Sequence, residues 1–238
     1  MSGHSKWANI KHRKETQDAK RGKVFTHLGK ELSIAAKHGG GDIESNFRLR
    51  TLVEKARAAN MPLDNIERAI KRGTGELPGV SYEEQLYEGY GPESIAILVE
   101  CLTDNKNRTV SELRRLFSSN GGNLAEAGAV SWMFEKKGVI RATADAVSED
   151  TLLEQLINFE VDDISIDEKT ATISMSPRQL ETIKKALLET HYKIESAEVE
   201  WVAKNLIALA PEKEKKVIDF LEKIEELDDA QNIYSNLA

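Results

Sequence analysis

The sequence predicts an α+β protein of several domains: an N-terminal three-helix domain followed by two α/β domains, the last of them inserted into the middle one. Three observations predict it. Apolar residues recur at helical spacing up to about residue 75 and at strand alternation after Pro78. Residues 138–203 spell a complete βαββαβ order, the ferredoxin-like pattern. The flanking stretches, 79–137 and 204–238, are each incomplete, and together they supply the elements of one discontinuous domain.

Residues 1–17 show no steady apolar period and read as a flexible basic arm. Residues 18–78 form the helical domain. Val24, Phe25, Leu28, Leu32 and Ala35 mark its first helix, stopped by Gly39-Gly40-Gly41. Leu49, Leu52, Val53, Ala56 and Ala59 mark a second. Leu63, Ile66 and Ile70 mark a third, with Gly73 placed to end it.

Strands at Tyr82–Glu88 and Ser94–Leu102 flank the turn residues Gly89-Tyr90-Gly91-Pro92, a predicted hairpin. The second of these strands is apolar on both faces, so it belongs in the middle of a covered sheet. A helix carries Val110, Leu113 and Phe117 and stops at Asn120-Gly121-Gly122. Val130, Trp132 and Phe134 alternate as a strand, which makes Trp132 a core aromatic, as Trp201 is on a later strand.

Within 138–203, a strand at Val139–Thr143 leads to a helix capped by Ser148 and bearing Leu152, Leu153 and Leu156. Strands around Ile164 and Ile173 meet at the turn Asp167-Glu168-Lys169. Ser176 and Pro177 open a helix with Leu180, Ile183 and Leu187. Ala197, Val199 and Trp201 form the last strand. The tail reads as a strand at Leu206–Leu209, a helix with Ile218, Leu221 and Ile224, and a strand around Ile233–Tyr234.

Composition narrows the function. Of 238 residues, 40% are hydrophobic and 31% charged, the balance of a globular protein. No run approaches the ~18 apolar residues of a membrane span, and the basic start lacks the apolar stretch of a signal peptide. The single Cys101 forms no internal disulfide and fits a reducing cytoplasm. The net charge of −7 conceals an asymmetry. Residues 1–80 hold 16 basic and 9 acidic residues, a net +7, and the remainder carries −14. A localised cationic segment on an acidic body approaches phosphates in a defined pose.

The candidate site follows that asymmetry. Lys6, Trp7, Lys11, His12, Arg13 and Lys14, followed by Lys20, Arg21 and Lys23, supply phosphate contacts, and Trp7 either stacks on an unpaired base or anchors the arm. A second patch comprises Arg48, Arg50, Arg57, Lys71 and Arg72. It alternates with Glu44, Glu54, Asp64 and Glu67, so ordinary surface pairing competes with a binding role. No catalytic constellation is present: Gly39–Asp42 lacks the Lys-Ser/Thr of a phosphate loop, and no nucleophile elbow occurs. His4, His12, His27 and His38 have no metal-ligand spacing. The polar turn 103–108 is explained by turn chemistry, with a contact role at the sheet rim as the alternative.

The runs GHSKWANIKHRK, QDAKRGKVFT, GGGD, KARAANMPLDNIERAIKRGTGE, YEGYGP, DNKNRTVSELR, NGGNL and VSWMFEKKG resemble the YebC family of bacterial probable transcriptional regulators, whose mitochondrial relatives are described as translational activators. Phe47 departs from the pattern, standing where a proline is expected, as does Ala-Glu-Ala-Gly-Ala at 125–129. The resemblance implies three domains with the third inserted, a cytoplasmic location, no cofactor, no small-molecule substrate, and nucleic-acid binding. It implies DNA-binding transcription regulation, or alternatively a ribosome-associated translation factor that acts on ribosomal RNA and relieves stalling, for example at proline runs.

Overall fold

A computed structural model describes Trp7 and residues 21–144, 149–167 and 169–238. Its first unit is helical: α1 (Arg21–Gly39), α2 (Phe47–Ala58) and α3 (Leu63–Thr74). Leu32, Ala35, Leu49, Val53, Ala56, Met61, Ile66 and Ala69 form its core. Asn46 fixes the turn between α1 and α2. Its Oδ1 accepts from Leu49 N at 3.1 Å as the N-cap, and its amide donates to Ala35 O and Gly40 O at 2.9 and 2.8 Å. Phe47 takes the first helical position and lies 63% exposed.

Gly73 does not terminate α3. It lies within the helix where α1 crosses, and a Cβ there would sit 2.2 Å from Ser33 O. Gly75, at φ +83°, is the left-handed residue that ends the helix. Close packing therefore requires glycine at 73, and backbone geometry favours it at 75.

Strands β1 (Glu83–Tyr90), β2 (Ala96–Thr103), β3 (Asn123–Ala125) and β8 (Ala230–Ser235) make an antiparallel sheet in the order β3-β1-β2-β8. Helices α4 (Lys106–Ser119) and α7 (Pro211–Glu225) cover one face. There Ile95, Ile97, Val99 and Cys101 meet Leu113, Phe117, Phe220, Leu221 and Ile224. Ala96 and Leu98 face the other way, against Val130, Phe134 and Ala203. The strand apolar on both faces is thus inner and doubly covered.

The hairpin differs in its turn. Gly89 and Tyr90 are inside β1, where a Cβ on Gly89 would meet the Phe117 ring at 2.6 Å, and the connection runs through a 3-10 turn at Pro92–Ser94. No sequence pattern marks β3, because Asn123–Ala125 directly follows the helix stop and is only three residues long.

β4 (Phe134–Thr143), α5 (Glu149–Leu156), β5 (Val161–Asp167), β6 (Thr170–Met175), α6 (Leu180–Leu188) and β7 (Lys193–Ala203) give the second sheet, order β5-β6-β4-β7, with every pairing antiparallel. That is the βαββαβ arrangement. Ile140, Leu152, Leu156, Ile173, Met175, Ile183 and Leu187 fill its core. Ser148 and Glu168 lie outside the described residues. Ser176 makes no side-chain cap; a 3-10 turn at Pro177–Gln179 precedes α6.

Two strand expectations fail. Residues 131–133 form a 3-10 turn, because the buried Glu88 carboxylate accepts the backbone N–H groups of Gly128, Val130 and Ser131, each at 2.8 Å, removing donors a strand ladder would use. Trp132 is consequently 63% exposed rather than core, its indole N–H donating to Ala129 O at 3.0 Å. Trp201 is half-buried and donates to Glu100 Oε1 at 3.1 Å. Leu206–Leu209 is no strand: Ile207 makes one parallel bridge to Leu237 before the chain turns into α7 at Pro211.

Candidate nucleic-acid interface

Among the described residues, one buried ion pair joins the helical unit to the first sheet. Lys30, on α1, donates to Asp229 Oδ1 at 2.9 Å, Asp228 O at 2.8 Å and Leu102 O at 3.1 Å. All three ammonium hydrogens therefore have acceptors, as burial of a cation requires. Asp229 Oδ2 receives Arg108 Nη2 at 2.7 Å, Thr109 Oγ1 at 2.8 Å and Thr103 Oγ1 at 3.1 Å. Burial alone would raise the Asp229 pKa; the hydrogen bonds from Arg108, Lys30 and Thr109 outweigh it and hold the carboxyl at about 2. The hydrogen bond to Asp229 raises the pKa of Arg108. The polar turn 103–108 thus builds this anchor, with Asn105 also capping α4 through Arg108 N at 3.1 Å.

The predicted binding residues fall into distinct groups. Lys6, Lys11, His12, Arg13, Lys14 and Lys20 lie outside the described residues. Arg21 opens α1. Trp7 is 0% exposed and belongs to the apolar core between the first sheet and helices α4 and α7. Fully buried in the cluster that also holds Ile97, Phe117 and Phe220, the ring offers no exposed face to a base, an environment that favours the anchoring role over stacking. Its indole N–H finds no partner among the described residues.

Lys23 donates to the carbonyl of Glu225, at the C-terminal end of α7, where a cation complements the helix dipole. Arg48 is exposed but ion-paired to Glu84. Arg50 lies over the Phe47 ring, 5.5 Å from its centroid. Lys55, from the same helix, pairs with Glu198 of β7. These last contacts border a cleft of about 970 Å³ between the helices and the two sheets. Seven glutamates line it (residues 31, 54, 84, 100, 181, 195 and 198) against Arg48, Lys55, Lys136 and Lys184, so its interior repels phosphate. Burial raises the pKa of Glu31 there, partly offset by Lys55.

Arg57, Lys71 and Arg72 have no ion-pair partner among the described residues. Arg57 lies in the last turn of α2, whereas Lys71 and Arg72 occupy the last turn of α3, so the second patch is not contiguous. Lys71 and Arg72 instead join Lys37, to which no sequence pattern points, and Lys106 and Arg108 of the polar turn 103–108. Lys37 donates to Ser81 Oγ at 2.8 Å, and Lys106 pairs with Glu83 at 2.7 Å. Arg72 and Arg108 both act electrostatically on the Tyr82 hydroxyl, whose pKa is raised by burial and by Asp104. Lys37, Lys71, Arg72, Lys106 and Arg108 thus rim the connection 79–83, at the seam between helices and sheet. Their separation in sequence hides the grouping; the basic last turns of α1 and α3 and the polar turn 103–108 are its separate signals.

Among the described residues no cluster of three or more His, Cys, Asp or Glu side chains has the arrangement of a metal site, and no helix is long and apolar enough to cross a membrane. Cys101 is buried, its thiol pushed up to about 12 by burial and by Asp229.

The fold has a close counterpart in the crystal structure of a conserved hypothetical protein from Aquifex aeolicus, with a TM-score of 0.82 and 44% identity over 93% of this chain and 91% of that one. A protein of Dictyoglomus turgidum is 52% identical over 99% of this chain and 95% of its own length. One of Thermotoga petrophila is also 52% identical, over 99% and 93%. Both are described as probable transcriptional regulatory proteins. Residues 5–76 match the TACO1/YebC N-terminal domain and residues 82–237 the TACO1/YebC second and third domains, the boundary between the matches falling in the same connection that separates the helices from the first sheet. With helical unit and both sheets accounted for along nearly its whole length, the chain belongs to the TACO1/YebC family.

Proposed function

We propose that the protein regulates gene expression by binding nucleic acid through its cationic N-terminal third. The observation that carries this reading is the exposed pair Lys71 and Arg72, without an ion-pair partner among the described residues, beside Lys37 at the helix–sheet seam, where Lys106 and Arg108 are held by Glu83 and by Asp104 and Asp229, on a chain whose first 80 residues are net +7 and whose remainder is −14. Such a rim attracts phosphates while the acidic cleft and C-terminal half repel them, which sets orientation as well as affinity. The arm residues Lys6, Lys11, His12, Arg13, Lys14, Lys20 and Arg21 add to it. The names of the relatives favour transcription.

A second reading, a ribosome-associated translation factor, is favoured by the shape of this surface. The exposed side of α3 carries Asp64 and Glu67 beside Arg68, Lys71 and Arg72, a poor face for insertion in a major groove. The cations straddle two structural units with Tyr82, Asn105 and Asn107 among them, which suits a folded RNA read by shape.

The test is a filter-binding comparison of duplex DNA, single-stranded RNA and purified ribosomes at several salt concentrations. Sequence-selective duplex binding supports transcription; retention on ribosomes with sequence-blind duplex binding supports translation. Failure to bind any of the three at about 50 mM salt would remove the proposal.

A further inference from the structure

The outer edge of the inserted sheet carries a feature that nucleic-acid binding does not use. β5 is an edge strand, paired only to β6, so one row of its N–H and C=O groups has no strand beside it among the described residues. Next to it, α5 and the following loop leave an apolar groove of about 590 Å³ lined by Leu153, Leu156, Ile157, Phe159, Val161 and Ile164. Ile157 is 77% exposed and Leu153 50%, in contrast to the fully buried Leu152 of α5.

Charge identifies the occupant. Residues 149–167 contain seven acids, Glu149, Asp150, Glu154, Glu160, Asp162, Asp163 and Asp167, and no lysine or arginine. Asp162 meets Lys137 of β4 at 3.3 Å. A second copy of β5 laid alongside would bring together two strands that each carry three aspartates and no basic residue, and like charges crowded on neighbouring strands are destabilising. Nucleic acid is repelled on the same ground. A basic segment with apolar residues at every second position satisfies all three features: the open hydrogen-bonding edge, the apolar groove and the acidic rim.

We propose that the β5 edge is a docking site for an extended basic polypeptide, which adds to the inserted sheet as a fifth strand and sets its apolar side chains in the groove beside Ile157. Strand addition draws its affinity from main-chain hydrogen bonds, and alternate side chains supply the choice of partner. The site lies on a different sheet from the cationic seam, so the protein would join a nucleic acid at one site to a basic protein segment at the other.

The test uses the full-length protein and a fluorescein-labelled ten-residue peptide of alternating lysine and valine, followed by fluorescence anisotropy. Binding is expected, weakening at least about tenfold on Ile157→Ser, and by a similar factor when alternate backbone amides of the peptide are N-methylated along one edge. The pair Glu154→Gln and Glu160→Gln should weaken it about threefold at low salt and less at high salt. Hydrogen exchange should show new protection in β5. Ile157 and the two glutamates are exposed, so these variants leave the core intact. Absence of binding would overturn the proposal. So would binding indifferent to both N-methylation and Ile157→Ser, which would mark general attraction to an acidic protein.

Discussion

Lys30 Nζ lies 2.9 Å from Asp229 Oδ1, joining the first helix to the loop before the last strand across 199 residues of sequence. Both side chains are more than nine-tenths buried. Removing one partner leaves the other charge enclosed without compensation. Asp229→Ala is therefore expected to cost about 3–5 kcal/mol in urea unfolding, with Lys30→Met costing less because an apolar chain of similar length replaces the cation. Equal stability of Asp229→Ala and wild type would show that the pair contributes nothing.

The same carboxyl gives a pH signature. Its folded pKa of about 2 is below the ordinary value of 3.8, so its contribution to stability is complete above about pH 4 and fades as pH falls towards 2. The stability gap between wild type and Asp229→Asn should hold steady from about pH 7 to about 5 and narrow below about 4. A gap unchanged at about pH 3 would contradict the assignment.

Trp7→Ala should act first on folding. Deleting an enclosed indole from the core of Ile97, Phe117 and Phe220 is expected to lower unfolding free energy by about 3–5 kcal/mol. A variant as stable as wild type, yet weaker in nucleic-acid binding, would return the ring to a stacking role.

On nucleic acid, the double variant Lys71→Gln, Arg72→Gln should flatten the dependence of log K on log salt by roughly 2 units on duplex DNA, at about 0.9 for each phosphate no longer neutralised. Arg48→Gln should leave the slope unchanged, because its guanidinium is engaged by Glu84 at the cleft. Equal effects of the two variants would refute the division of the second patch.

Gly73→Ala should destabilise by about 1–3 kcal/mol, since the added methyl meets the Ser33 carbonyl and forces α1 and α3 apart. Gly75→Ala meets no atom within 4 Å and should cost only about 1 kcal/mol, from its positive φ. Thermal unfolding of the two variants side by side distinguishes packing from backbone strain.

Local periodicity suffices for the three N-terminal helices, for the inner position of β2 and for the βαββαβ order, because each depends on neighbours close in the chain. What the sequence conceals depends on distant partners. Trp132 alternates correctly for a strand, yet Glu88, more than forty residues earlier, draws the local backbone into a turn. Arg48, Lys23 and Lys71 look alike as cations in a row of letters. Only the fold shows that the first faces Glu84, the second caps α7 and the third stands open at the seam. Lys30, which no spacing or motif marks out, carries the anchor.

The place of β8 has a consequence for how the chain is made. β2 pairs on one side with β1, its immediate predecessor, and on the other with β8, where Val99 meets Ile233. During synthesis β2 emerges with that second side open, and the whole of β4 to β7 must follow before its neighbour exists. The inserted sheet is complete in consecutive sequence and can fold first, whereas closing the first sheet brings distant segments together at an entropic cost. A chain truncated between residues 204 and 229 would therefore hold a finished inserted domain beside an apolar strand still awaiting its cover, the state most exposed to misassembly.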